Sequence, residues 1–252
     1  MSESIRAVER ALDVLLCFSR QTPELTMTQI AEQVGMHKST VHRLLGTLER
    51  KRFLQREPAT GLYRPGIRLI QMAYLPLEHN DLRRLATPFL QKLCDESLET
   101  VDLAVLDDQE VIYLDVIESP QRVKLAAATG MRLPAYCTAS GKAILAFLPD
   151  EAVQRTLRGG MRRYTAGTLA TPEALFEHLQ QVRERGFALS EQEYEQGINA
   201  IGAPILDQNN RPLGSVAVAG PAYRLTRERM LEIGQLILDT VHEISHEVGI
   251  RE

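Results

Sequence analysis

The stretch that decides the fold is TMTQIAEQVGMHKSTVHRLLGTLERK, residues 26–51. Thr26 or Thr28 supplies the side-chain oxygen that caps a helix N-terminus, and apolar residues then recur on one helical face. Gly35 tolerates the left-handed backbone found at helix ends, which permits a sharp turn there. A second helix is expected from about Lys38. Its apolar positions recur at helical spacing and are Val41, Leu44, Leu45 and Leu48.

The outward face of the second helix is polar and basic. It gathers hydroxyls, a histidine and long cations within the first turn and a half: Lys38, Ser39, Thr40, His42 and Arg43. On a lone helix, such a face is ordinarily solvated surface. In a helix-turn-helix protein, the same position contacts base edges and phosphates. The residues that follow the helix favour the second interpretation.

A short hairpin is expected directly after the helix pair. Residues 53–56 alternate in polarity as a strand does, residues 57–61 (EPATG) are turn formers, and residues 62–64 resume a strand. A helix pair followed by a basic hairpin is typical of a winged helix-turn-helix domain. Arg56 and Arg64 lie where such a wing reaches the flanking phosphate or the minor groove.

Composition and charge set further bounds. The chain has 252 residues, 44% hydrophobic and 25% charged, which is typical of about two globular domains. Its net charge of -4 argues against a nucleic-acid partner, but residues 1–75 carry a basic excess and the remainder an acidic one. No targeting signal or apolar run long enough to span a membrane is present, so a cytoplasmic location is expected. Three widely separated cysteines argue against a disulfide framework.

Elements predicted along the rest of the chain mix helices and strands. An amphipathic helix at 5–19 is expected to pack across the helix pair, and a helix from 66 to 75, interrupted at Pro76, forms a linker where two copies could pair. Further helices are predicted at 81–96, 138–147, 151–157, 172–185 and 226–248. Strands are predicted at 100–106, 110–118, 123–128, 187–190, 199–206 and 213–219. This order predicts an α+β domain with one antiparallel sheet.

Several linked motifs carry a family resemblance. They are SIRAVERALDVL, LTMTQIAEQVGMHKSTVHRLLGTLE, YRPGIRL, YCTASGKAILAFLP, RERGFALSEQEYEQGINAIGAPILD and GSVAVAGPAYRLT. In this order they resemble the IclR family of bacterial transcriptional regulators, nearly end to end. The resemblance implies a winged helix-turn-helix DNA-binding domain (1–65), a linker helix (66–80) and a GAF-like effector-binding domain (81–252). It also implies a homodimer or homotetramer on a palindromic operator that controls catabolic genes, and family habit favours a repressor.

Site residues follow from the same resemblance. The implied DNA contacts are Ser39, Thr40, His42 and Arg43, supported by Thr28, Lys38 and Arg64. The implied effector-binding residues are Ala139, Ser140, Gly141, Ser190, Ile198, Ala200, Ala217 and Ala219, and Leu125 and Leu133 are added as candidates for the pocket wall. The turn at residues 138–141 opens a helix whose free N–H groups suit a carboxylate, so a small organic acid is expected.

The effector-binding residues on the late strands differ in chemistry from those of family members that bind small keto acids. Those relatives place acidic, thiol or hydroxyl side chains where this chain has Ser190, Ala200, Ala217 and Ala219. The more apolar set favours a larger effector, such as an aromatic or acyl acid. Alternatively, the alanines serve only close packing. Leu125, Leu133 and Tyr136 are compatible with either a core or a pocket wall.

Other candidate chemistry is weakly supported, and no cofactor, metal or catalytic residue is expected. His242 and His246 are spaced to chelate a metal, but a solvated helix face is the alternative. Cys137 near Ser140 and Lys142 suggests a nucleophile, whereas a buried thiol explains it equally. The competing function classes are therefore a small-molecule-binding enzyme with an N-terminal tether domain and a pure binding module.

Overall fold

The chain divides near residue 80 into two units, Met1–His79 and Asn80–Glu252. The computed structural model describes residues 5–19, 21–78 and 81–249. Residues 1–4, 20, 79, 80 and 250–252 of the predicted domains lie outside the described residues. The helix predicted as a linker belongs to the first unit.

The first unit is a helical domain with a two-stranded hairpin. Its elements are α1 (Arg6–Leu16), α2 (Met27–Gln33), α3 (Lys38–Arg50), β1 (Leu54–Arg56), β2 (Tyr63–Pro65) and α4 (Ile67–Glu78). Thr26 caps α2 in a reciprocal pair with Gln29, and Gly35 has a φ of +61° between α2 and α3. The strands pair antiparallel, so the predicted helix pair with a wing is confirmed.

A small apolar core holds the first unit together. Its buried members come from every element before α4: Val14, Leu25, Ile30, Ala31, Val41, Leu45, Leu48, Leu54 and Tyr63. The buried face of α3 is supplied by Val41, Leu45 and Leu48. Burying this face orients α3, because its hydroxyls and cations then have to point outward.

One prediction for the helices of the first unit was confirmed in part, and another was wrong. The apolar face of α1 was expected to pack across the helix pair, and Val14 and Leu15 do pack into the shared core. Much of that face is exposed, at Ile5, Val8, Leu12 and Leu16. The linker helix was expected to stop at Pro76, whereas α4 runs through it to Glu78. Proline removes one backbone donor, but its fixed φ is compatible with a helix, and here the helix continues.

The second unit is built on a six-stranded antiparallel sheet of order β5-β4-β3-β8-β7-β6. Its strands are β3 (Thr100–Asp107), β4 (Glu110–Ile117), β5 (Arg132–Pro134), β6 (Ala188–Glu191), β7 (Ile198–Leu206) and β8 (Pro212–Pro221). Its helices are α5 (Asp81–Ser97), α6 (Ala139–Leu145), α7 (Asp150–Thr156), α8 (Pro172–Arg185) and α9 (Arg227–Gly249). The predicted α+β class with one antiparallel sheet is confirmed.

The two faces of this sheet bury different cores. One face packs Leu103, Ile201 and Val216 against α5 and α9. The other face carries α6 and α8, with Ala104 and Tyr113 among the buried sheet residues. Because side chains alternate along a strand, residues 100, 102 and 104 of β3 point to this second face. That face holds the predicted effector residues.

The strand predicted at 123–128 does not exist. The structure places no ladder there, and β5, the strand paired with β4, comes later at Arg132–Pro134. The alternating apolar residues of the segment serve another purpose, since Leu125 and Ala127 line a cavity. Alternating polarity indicates an extended segment with one face buried. It does not distinguish a strand of a sheet from a segment that lines a cavity.

Candidate functional site

The first candidate site is the outward face of α3. His37 caps this helix, and its Nδ1 lies 2.8 Å from Ser39 Oγ and 3.4 Å from Ser39 N. Lys38, Ser39, His42 and Arg43 are exposed. In the described part of the chain, no acidic side chain forms an ion pair with Lys38 or Arg43. The face is therefore hydrated and cationic, as contact with phosphates and base edges requires.

Two predicted DNA contacts, Thr40 and Thr28, are less exposed than the rest of the α3 face. Both are half-buried, Thr40 on the first turn of α3 and Thr28 on the first turn of α2. They can present hydroxyls at the edge of the α3 face. His37 is a contact candidate that sequence reasoning missed, although its position directly before a helix was a signal for a capping residue.

The wing supplies two further arginines. Arg56 lies over the ring of Tyr63, 5.8 Å from the ring centroid, which holds the side chain against β2. Arg64 is 4.0 Å from Glu24, and both side chains are more than two-fifths exposed. An exposed ion pair of this kind is worth less than about 1 kcal/mol, so it leaves Arg64 able to turn toward a phosphate.

The second candidate site is a cavity of about 280 Å³ in the second unit, between the sheet and α6. Nine of the residues predicted to bind effector line it: Leu125, Leu133, Ala139, Ser140, Ser190, Ile198, Ala200, Ala217 and Ala219. The predicted Gly141 does not line it. A Cβ on Gly141 would lie 2.2 Å from the carbonyl oxygen of Ala135, so this glycine serves close packing behind the wall. Tyr136 also lies outside and donates to the carbonyl of Arg162 at 2.7 Å.

Strand register explains why distant residues meet in the cavity. Ala200 is paired with Ser190 on one side and with Ala219 on the other. Ala217 is likewise paired with Asp102 across β3. Small side chains at these positions leave room above the sheet. The alanines thus form an open apolar floor.

Sequence reasoning missed several lining residues, above all Asp102. The others are Tyr113, Lys124, Ala126, Ala127, Met131, Cys137, Tyr194 and Glu195, and Thr138 had been named only as part of the turn. Asp102 is 2% exposed, and its Oδ1 accepts a hydrogen bond from Ser140 Oγ at 2.7 Å. Burial raises the pKa of Asp102 to about 7, although the Ser140 hydrogen bond opposes the rise. An acid within the apolar run TVDLAVL was the available signal.

The N-terminus of α6, where a carboxylate is expected to bind, has a buried acid beside it. Thr138 caps the helix, and its Oγ1 accepts from Gly141 N at 3.2 Å. Ser140, in the first turn, already donates to the carboxyl of Asp102. An acidic group of the protein therefore lies beside the turn that was predicted to bind the effector's carboxylate.

A buried ion pair supports one end of the cavity. Lys142 is fully buried, and its Nζ donates to Glu193 Oε1 and, at 2.6 Å, to the carbonyl of Leu189. Burial raises the pKa of Glu193 and lowers that of Lys142, while their mutual attraction opposes both changes. The pair ties α6 to the segment that carries Tyr194.

The other chemical candidates are not assembled for reaction. Burial, followed by the charge of Glu193, raises the pKa of Cys137 to about 12, which keeps it a protonated thiol and a poor nucleophile. His242 and His246 line a shallow groove with Phe89. Within the described ranges no group of three or more His, Cys, Asp or Glu side chains is placed to hold a metal ion. None of the described helices is long and apolar enough to cross a membrane.

Comparison with known proteins matches both units. Residues 7–58 match the IclR helix-turn-helix domain, and residues 74–246 match the domain described as bacterial transcriptional regulator IclR C-terminal. The transcriptional repressor IclR of Escherichia coli K12 is 31% identical over 248 residues, which cover 97% of this chain and 90% of the relative. The regulator XynR of the same organism is 34% identical over 216 residues, 85% of this chain and 86% of the relative.

Comparison with solved structures also finds IclR-type regulators over nearly the whole chain. The Thermotoga maritima IclR structure superposes with a TM-score of 0.78 at 30% identity, covering 98% of this chain and all of that one. An IclR homologue from Microbacterium hydrocarbonoxydans, solved with 4-hydroxybenzoate, gives a TM-score of 0.83 at 25% identity, with 95% and 98% of the two chains covered. The polar face of α3 and the cavity over the sheet thus lie on the DNA-binding and effector-binding domains of a known architecture, and the chain belongs to the IclR family of transcriptional regulators.

Proposed function

We propose that this protein is a cytoplasmic repressor of catabolic genes that binds a palindromic operator and releases it when an effector occupies the cavity. The observation that carries the proposal is the exposed α3 face, where Lys38 and Arg43 have no acidic partner among the described residues. Such a face binds a duplex through phosphate contacts, and Arg can pair bidentately with guanine. No catalytic step is part of the proposal.

The proposed assembly is a homodimer or homotetramer. Two DNA-binding domains related by a two-fold axis match two symmetric half-sites, which explains a palindromic operator. The exposed apolar residues of α1 support self-association: Ile5, Val8, Leu12 and Leu16 recur every three or four positions, and each is more than half exposed. We expect a second copy to cover this stripe, because water contact with it is unfavourable.

The proposed effector is an organic acid, with an aromatic acid favoured over a small keto acid. The alanine floor at Ala200, Ala217 and Ala219 gives the cavity an apolar surface that suits a ring. The homologue solved with 4-hydroxybenzoate supports this class of ligand. A tenfold loss of operator affinity needs only a small difference in effector binding. The effector has to bind one arrangement of the two DNA-binding domains about 1.4 kcal/mol more tightly than the other.

Operator binding is tested with duplexes selected by the wild-type protein from a random library. In fluorescence anisotropy, Arg43→Ala is expected to weaken binding by about 1–3 kcal/mol, because a guanine or phosphate contact is lost. Arg211→Ala, at an exposed arginine of the β7–β8 turn, is the matched control and should bind normally. An Arg43→Ala variant with unchanged affinity and salt dependence would remove Arg43 from the interface.

Effector control is tested separately. Organic and aromatic acids that raise the thermal unfolding temperature are added to the protein–operator complex, and release is measured. Ala219→Leu, which fills the floor of the cavity, should abolish release while leaving operator affinity intact. Release that persists in this variant would place the effector elsewhere.

A further inference from the structure

The deep wall of the cavity holds a carboxyl group that the protein satisfies on one side only. Asp102 is 2% exposed, and its Oδ1 accepts from Ser140 Oγ at 2.7 Å. Among the described residues no donor forms a hydrogen bond with Asp102 Oδ2. Because Asp102 lines the cavity, a ligand there can supply the second hydrogen bond that the protein does not.

A phenol lies on the same wall. Tyr113 of β4 is paired with Ala104, which lies two residues from Asp102 on the same face of β3. Its side chain is 4% exposed and lines the cavity. Burial, and then the charge of Asp102, raises the pKa of Tyr113 well above its ordinary value, so the group remains a phenol. Its hydroxyl has no hydrogen-bond partner in the part of the chain that the structure describes.

Neither of two nearby lysines neutralises Asp102. Lys142 is committed to Glu193 and to a backbone carbonyl, whereas Lys124 at the cavity rim forms an exposed pair with Glu118 at 2.6 Å and can turn toward the acid end of a ligand. No described lysine, arginine or histidine forms an ion pair with Asp102. Asp102 is therefore an acid that faces a mainly apolar chamber without a neutralising charge.

A carboxylate, a hydrocarbon and a hydroxyl group would interact differently with Asp102 and Tyr113. Above the pKa of Asp102, a carboxylate would bring a second negative charge against it in a desolvated site, which is unfavourable. A hydrocarbon end would leave Asp102 Oδ2 and the Tyr113 hydroxyl without partners. A hydroxyl can donate to the carboxylate and accept from the phenol, since it carries both capacities.

We propose that the effector of this protein presents a phenolic or alcoholic hydroxyl to Asp102, and that Asp102 and Tyr113 select hydroxylated acids over their unsubstituted analogues. This inference rests on the proposed role of the cavity as the effector site. It reverses the ligand orientation expected from the sequence, because the hydroxyl and not the carboxylate then approaches the first turn of α6. The carboxylate of the ligand would then point toward the rim of the cavity.

The test uses three probes that differ only at one end: 4-hydroxybenzoate, benzoate and terephthalate. Binding to the full-length protein is measured by calorimetry at pH 8, above the pKa of Asp102. The wild type is expected to bind 4-hydroxybenzoate at least about tenfold more tightly than either of the other probes, since a site built for a hydroxyl rejects analogues that lack it.

Variants separate the contributions. Asp102→Leu should bring 4-hydroxybenzoate and benzoate within about threefold of each other, and Tyr113→Phe should reduce the preference partly. Asp102→Asn replaces Oδ2 by a donor and should selectively improve terephthalate binding. Glu177→Gln removes one negative charge from an exposed position of α8 that does not line the cavity, and serves as the matched control, with the wild-type preference retained.

Three results would overturn the proposal. These are equal wild-type affinities for 4-hydroxybenzoate and benzoate, a hydroxyl preference that survives in both Asp102→Leu and Tyr113→Phe, and no binding of any probe at millimolar concentration. Operator affinity without ligand is measured on the same preparations. A protein that binds operator but none of the probes refutes the hydroxyl assignment alone, whereas loss of both activities refutes the regulator proposal as well.

Discussion

Replacing Asp102 by asparagine should change how the stability of the protein depends on pH. The substitution keeps the size of the side chain and an oxygen for the Ser140 hydrogen bond, but it removes the ionisable group. In the folded protein, the pKa of Asp102 is raised from 3.8 to about 7 by burial. The unfolded chain exposes the carboxyl to water and restores the ordinary value.

The sign of the effect follows from comparing the two states. Below pH 3.8 the carboxyl is protonated in both, so ionisation has no influence on the free energy of unfolding. As the pH rises toward 7, the unfolded chain ionises first, and stability is lost until the folded pKa is passed. At about 1.36 kcal/mol per pH unit, the full loss amounts to about 4 kcal/mol, of which about 3 kcal/mol falls between pH 5 and 8.

The measurement is urea unfolding of the full chain, followed by circular dichroism because the protein has no tryptophan. Protein concentration is held constant, since self-association contributes to apparent stability. Between pH 5 and 8, wild-type stability should fall by about 3 kcal/mol relative to Asp102→Asn. Glu195→Gln, which removes an exposed carboxyl, should run parallel to the wild type.

Another buried group titrates in the same range and has to be separated. Burial, aided by the charges of Lys142 and Arg185, lowers the pKa of His178 from 6.5 to about 3. This shift destabilises the protein as the pH falls below 6.5, which is the opposite direction to Asp102. It is present in both proteins, so it cancels in the difference between them. Parallel curves for the wild type and Asp102→Asn from pH 5 to 8 would refute the reasoning.

Two further substitutions probe the packing around the cavity. Glu193→Gln leaves the charge of Lys142 buried without its partner and should cost about 3–5 kcal/mol in urea unfolding; a cost below about 1 kcal/mol would show that the pair is not needed. Gly141→Ala places a methyl group against a backbone carbonyl and should prevent stable folding, whereas Gly46→Ala in α3, where the nearest atom is 3.8 Å away, should stabilise by about 0.5–1 kcal/mol. Equal thermal unfolding temperatures for the two alanine variants would contradict the contact.

Local signals made the DNA-binding unit predictable. A capping residue at Thr26, a left-handed glycine at Gly35 and apolar residues at helical spacing act within a few positions of one another, so the sequence expresses them directly. The α+β class followed from the order of elements, and the predicted effector residues included nine of the nineteen that line the cavity. The same local rules failed at Pro76, where the helix continues although proline lacks a backbone donor.

The sequence by itself determined the helix pair, the wing, the outward cationic face and the alternation of strands and helices. Only the tertiary structure decided that residues 123–128 line a cavity instead of extending the sheet. It also decided that Asp102 meets Ser140, a residue 38 positions away. Such meetings depend on which strands pair and in what register, and this is set by the burial of the whole sheet between its helices. The chemistry of the effector site is therefore a property of the assembled fold.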